Sequence, residues 1–119
     1  MIGLITFDNS TRVQVPLQRV RDENHKIVLK TELNHARNGR WGGTRMYRAL
    51  DKALDAIEEI SDDVEIWIIC LTDGESSDGS TIVESRLRDS RGNVNVILIG
   101  VDLHGSLYEP MRALCEKFR

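Results

Sequence analysis

The run Ile66-Trp67-Ile68-Ile69-Cys70-Leu71 narrows the folds open to this chain more than any other feature. Its apolar residues follow one another without alternation, and the stretch from Val64 to Leu71 is too short and too rich in β-formers for a buried helix. Such a run predicts a strand covered on both faces and seated centrally, as strands of parallel sheets are. It empties into Thr72-Asp73-Gly74, which sets a carboxylate just past the strand's carboxyl end.

The flanking patterns supply the other layers. Ile2, Leu4, Ile5 and Phe7 predict a buried strand and Asp8-Asn9-Ser10 a turn. Val13, Val15 and Leu17 alternate with polar residues as an edge strand does, so the chain opens on a hairpin. Between Arg19 and Arg40, the apolar residues Ile27, Val28, Leu29, Leu33 and Ala36 predict a helix behind a polar approach around Asp22 to His25. From Thr44 onward, Met46, Leu50, Ala53, Leu54, Ile57 and Ile60 recur at helical spacing, with Arg48, Asp51, Lys52, Asp55 and Glu59 opposite. A short helix from Ser80 to Arg91 ends at Gly92, and Val94 to Gly100 forms a second buried strand. Ser106 caps a last helix with Leu107, Met111, Leu114, Cys115 and Phe118 on one side. Strands alternating with helices over short connections imply parallel crossovers. The fold class is therefore α/β: an open, mostly parallel sheet with helices on both faces and an antiparallel edge hairpin at the N-terminus. With 119 residues, 40% of them hydrophobic, and no internal repeat or linker, residues 1–119 make one domain with one core.

Sixteen basic and 19 acidic side chains are scattered without a long run of either sign, which excludes the electrostatic footprint of a nucleic-acid binder. Neither a membrane span nor a secretion signal is expected from the N-terminal pattern. Cys70 in the apolar strand and Cys115 in the last helix read as two reduced core thiols of a cytoplasmic protein.

Loops at the carboxyl ends of strands gather along one edge of such a sheet, and ligands bind there. Asp8, Asp73 and Asp102 all follow strands, and Thr44 at its helix start reaches the same edge. Gly42 and Gly43 let the backbone turn tightly and approach a ligand, after which the Thr44 hydroxyl can cap the helix or face a cation. Asp73-Gly74 is equally a turn dipeptide, and Asp78-Gly79-Ser80 reads as a turn into the next helix. A carboxylate and a hydroxyl are oxygen donors of the kind Mg²⁺ takes, although two donors alone do not hold it. His25, His35 and His104 lack zinc-site spacing and read as surface or loop residues. Trp41 reads as cover for a helix end. No nucleophile elbow or phosphate-binding loop marks an enzyme, and Cys70 lies where burial makes a thiol inert.

Taken in order, Ile2-Gly3-Leu4-Ile5-Thr6-Phe7, the β-branched edge strand, Gly42-Gly43-Thr44 with its helix, Ile68-Ile69-Cys70-Leu71-Thr72-Asp73-Gly74 and Val96-Ile97-Leu98-Ile99-Gly100-Val101 resemble a von Willebrand factor type A domain over nearly the whole chain. The resemblance implies a metal-ion-dependent adhesion site, in which Thr44 and Asp73 help hold Mg²⁺ and the metal receives an acidic group from a protein partner. Asp8, Gly42, Gly43, Gly74 and Asp78 are the further candidates along that ligand edge. The family's first motif, Asp-x-Ser-x-Ser, is absent here, and so are its last strand and helix. The chain therefore reads as a partial domain, an interior piece of a larger one or a variant, with an incomplete metal site and weak Mg²⁺ binding. The missing first strand lies centrally in the family, between the strands resembling Met1 to Phe7 and Val64 to Leu71. Two unpaired edges are expected there, open to self-association or strand donation. The resulting expectation is a non-enzymatic protein-interaction module. The alternatives are a small Mg²⁺-dependent phosphohydrolase using Asp73 and Asp78, and a metal-free scaffold in which Thr44 only caps and Asp73 only turns.

Overall fold

The computed structural model describes residues 1–38, 45–72, 76, 78–90, 92–100, 109 and 112–116. Alternation in the first eighteen residues produces an antiparallel hairpin of β1 (Ile2–Phe7) and β2 (Thr11–Gln18). Its register shifts between Ile2 and Leu4. Gly3 sits at that shift, where an added Cβ would stand 3.1 Å from backbone atoms of Leu17. Only a residue without a side chain lets the two strands approach so closely. The Asp8 carboxylate shapes the turn by accepting from the Ser10 amide at 2.7 Å and the Ser10 hydroxyl at 3.0 Å.

Helix α1 (Glu23–Asn38) starts where Asp22 accepts the His25 amide at 3.2 Å, while the His25 ring accepts the Arg21 amide at 3.0 Å. The predicted polar approach is thus a capping structure, and His25 is its brace. The helix lies against β1 and β2, yet Ile27, Val28 and Leu33 remain exposed.

Helix α2 (Met46–Ile57) follows its sequence pattern closely: Met46, Ala49, Leu50 and Leu54 are buried in one stripe. It packs against β1, β2, β3 (Ile66–Thr72) and α3 (Thr81–Asp89), and so carries the core between the hairpin and the rest of the chain. That core consists of Met46, Leu50, Leu54, Cys70 and Val83, with Phe7, Ile68, Val96 and Leu98 packed around it. Arg86 of α3 ties the two helices together, donating to the Asp51 carboxylate and the Asp55 carboxylate at 2.7 Å each. Ser90 ends α3, and Gly92 then turns the chain with φ of +82° toward β4 (Val94–Gly100). The predicted helix limit at Arg91 falls back to Asp89 because Ser90 is extended and its hydroxyl donates to the Leu87 carbonyl. Residues 112–116 are helical, with Leu114 buried.

β3 and β4 run parallel in unbroken register, from Ile66 opposite Val94 to Thr72 opposite Gly100. The α/β class with an N-terminal hairpin is therefore present, but the described strands form two separate two-stranded sheets, β1-β2 and β3-β4. The central seat expected for β3 is not what the described residues show, since its only strand neighbour among them is β4. Cover on both faces does not hold either. Ile68 and Cys70 face the core, whereas Trp67, Ile69 and Leu71 are 56%, 59% and 61% exposed. Ile97 and Ile99 continue that open face on β4. Unbroken hydrophobicity states that both faces of a strand need cover, and the core helices α2 and α3 serve only one of them.

Candidate functional site

Three of the local structures above converge on the first turn of α2. Arg45 is its N-cap residue, and the Arg45 amide donates to the Asp8 carbonyl at 2.9 Å, which ties the helix start to the turn after β1. Two residues into the helix, the Arg48 amide donates to Asp78 Oδ2 at 2.7 Å, which ties the same turn to the segment after β3. The first amides of a helix have no partner within it, so both bonds satisfy groups that the helix cannot satisfy itself. The carboxyl end of β1, the amino end of α2 and the Asp78 segment thus share one rim. Thr72 closes β3 and is buried.

Asp8 and Asp78, two of the sequence candidates, are brought to that rim. Both carboxylates already serve local structure there: Asp8 in the hairpin turn, and Asp78 between Arg48 and the Ser76 hydroxyl, which donates to Asp78 Oδ1. The other candidates, Thr44 and Asp73 with Gly42, Gly43 and Gly74, lie outside the described residues, as do Trp41, Asp102 and His104. Of their flanks, Arg45 is the rim residue just described. Among the described residues, no three His, Cys, Asp or Glu side chains gather to hold a metal.

The sequence reading of Asp78 as a simple turn missed its bond to α2. Its partner is 30 positions away, and no local pattern signals a cap supplied from another element. Arg45 holds the cap position of α2 and makes no side-chain cap bond, while the hydroxyl expected to cap it, that of Thr44, lies outside the described residues.

Behind the rim, burial shapes the titratable groups. Tyr47, in the first turn of α2, has its hydroxyl pKa raised by burial first and then by the negative charges of Asp78 and Glu84. Burial pushes the Cys70 thiol up from 9.0 to about 11. Both cysteines are free thiols, but Cys115 is exposed, which corrects its reading as a core residue. A helix at the domain surface presents half its circumference to water whatever its composition.

The Cys70 shift carries a pH prediction. The unfolded thiol ionises first, so this group favours the folded state fully below about pH 9 and loses that contribution as pH rises toward about 11. The change is about 3 kcal/mol at most, from roughly 1.4 kcal/mol per pKa unit. Urea melts between pH 8 and 11 check it: the parent should lose stability more steeply than Cys70→Ala, and parallel curves would count against it.

The family model described as the von Willebrand factor type A domain matches residues 1–117 of the 119. Comparison with curated proteins gives no match.

Proposed function

The chain belongs to the von Willebrand factor type A domain family, whose members are generally protein-interaction modules, and on that premise we propose that it is a non-enzymatic module binding a protein partner at the α2 rim. The observation that carries this reading is the convergence of Asp8, Arg45 and Asp78 on one helix start. The two residues with the family's metal-binding roles, Thr44 and Asp73, adjoin that convergence in sequence. In this reading they hold Mg²⁺, and the metal, when bound, draws an acidic group of the partner to the rim. A threonine hydroxyl and an aspartate carboxylate are hard oxygen donors suited to that ion. They supply only part of the roughly six oxygens Mg²⁺ requires, and the two described carboxylates on the rim are engaged in backbone and hydroxyl hydrogen bonds. Among the described residues no further donor set completes the site, and in this reading it binds Mg²⁺ weakly.

Strand donation completes the same reading. β1 is paired with β2 and β3 with β4, so each keeps one edge without a strand among the described residues. One added strand between β1 and β3 pairs both edges and joins the two sheets into the open sheet of the α/β class. Its source is a further segment of the parent polypeptide or a partner, a second copy included. The free thiols of Cys70 and Cys115 fit a reducing compartment such as the cytoplasm. Among the described residues, no helix is long and apolar enough to cross a membrane.

Calorimetry with Mn²⁺ and Mg²⁺ tests the metal half of the proposal. This chain should bind either ion weakly, with heats reduced further by Asp73→Ala and Thr44→Ala. Tight binding abolished by Asp73→Ala would mean that the site is already complete. Weak heats unaffected by both substitutions would remove Thr44 and Asp73 from the reading.

A further inference from the structure

We infer that the open face of the β3-β4 pair is a self-association surface, on which a second copy of this chain packs its own β3-β4 face about a two-fold axis. Parallel pairing builds the face in three rows: Trp67 beside Asn95, Ile69 beside Ile97 and Leu71 beside Ile99. Trp67, Ile69 and Leu71 are more than half exposed, and Ile97 and Ile99 are exposed beside them. Ile68, Cys70, Val96 and Leu98 point the other way, toward the core under α2 and α3. The face therefore lies apart from the α2 rim, and the inference goes beyond the reading of that rim without resting on it. Its exposed apolar surface is on the order of 500 Å², at the upper end of the largest patch that a monomeric protein ordinarily carries.

The chemistry of the face selects its cover. None of the residues in the three rows carries a charge, and the Asn95 side-chain amide already donates to the Ile66 carbonyl at 3.2 Å. An acidic or basic partner finds nothing to pair with there, so the complement is another uncharged apolar face. Every copy of this chain presents one. The exposed Ile27, Val28 and Leu33 of α1 make a poorer complement, because Lys26, Lys30 and Glu32 stand among them. Two apposed faces bury about 1,000 Å² in total, the lower limit for a specific interface, so the dimer is weak and the dilute chain is monomeric. Sheets stack about 10 Å apart when their side chains interleave. A two-fold axis crossing the strands at Ile69 and Ile97 reverses the strand direction between copies. It sets each Trp67 over Leu71 of the other copy and each Ile69 against its own counterpart, and it keeps the two Glu65 carboxylates at opposite ends.

Sedimentation equilibrium between about 10 µM and about 1 mM reads the association. The mass of the parent chain should rise from 13.5 kDa toward twice that value and stop there. Ile69→Asp sets two carboxylates against each other at the axis and should weaken the dimer roughly tenfold or more, while Val28→Asp on α1 should leave it unchanged. An equimolar mixture of Ile69→Asp and Ile69→Lys should associate more strongly than either variant alone. Should Ile69→Asp not fold, Ile97→Asp and Ile97→Lys make the same comparison on β4. A chain that stays monomeric throughout would leave the face to a different protein or a further segment of the parent polypeptide, and would overturn the inference. Association that survives Ile69→Asp would run through the backbone edges of β1 and β3, which that variant leaves intact, and would overturn it equally. Species larger than a dimer, or a mixture no better than its components, would do the same.

Discussion

Replacing Leu50 by alanine is expected to remove about 3 kcal/mol of stability, within the 2 to 5 kcal/mol typical of buried leucines. Leu50 is 3% exposed and lies in the core cluster with Met46, Leu54, Cys70 and Val83. The same side chain lines a cleft of about 460 Å³ between α2, α3 and the β3-β4 pair, with Val83, Leu98 and Leu114 also on its wall. Alanine would widen that cleft. Since α2 carries the packing between the hairpin and the parallel pair, the loss should be felt in both. A loss of about 3 kcal/mol is a large share of the 5 to 15 kcal/mol that holds an ordinary domain folded. Urea denaturation monitored by far-UV circular dichroism reads the change. A loss below about 1 kcal/mol would show that α2 is not the keystone of the core.

The second large effect is a contrast between neighbours in β3. Cys70→Asp should unfold the chain or cost several kcal/mol, because it places a carboxylate at a position 7% exposed among Leu50, Leu54 and Val83. Ile69→Asp, one residue earlier, should cost about 1 kcal/mol or less and improve solubility, because that side chain is 59% exposed on the open face. Sequence alone ranks the two positions almost equally, since both lie within one apolar run. Thermal melts of the two variants decide the matter. Comparable destabilisation would mean that the Trp67, Ile69 and Leu71 face is covered in solution as well as the Cys70 face.

Local patterns carried much of the fold. The hairpin was legible because period-two alternation flanks an Asp-Asn-Ser turn, and β4 begins and ends at Val94 and Gly100 as its apolar run indicates. Helix α2 was legible because its stripe has the helical period. Resemblance supplied what patterns could not, the family, which the match over residues 1–117 shows. The state of β3 was misread, because hydrophobicity records the need for cover while the cover comes from other elements. In α1, Ile27, Val28 and Leu33 show the same limit, apolar at helical spacing yet exposed. Of the candidate site, Asp8 and Asp78 are placed on the rim. The role of Asp78 was illegible because a hydrogen bond between residues 48 and 78 leaves no trace in either local sequence.

The central claim is that the described strands form two pairs, with one edge of β1 and one edge of β3 left without a strand among the described residues. Amide hydrogen exchange on the monomeric chain, resolved residue by residue, measures it directly. In β3, the amides bonded to β4 should be protected and the alternate ones, pointing to the free edge, should exchange at nearly unprotected rates. β1 should show the same two-residue alternation on the side away from β2. Uniform protection along both strands of the monomer would show that β1 and β3 are already paired, and would contradict the account.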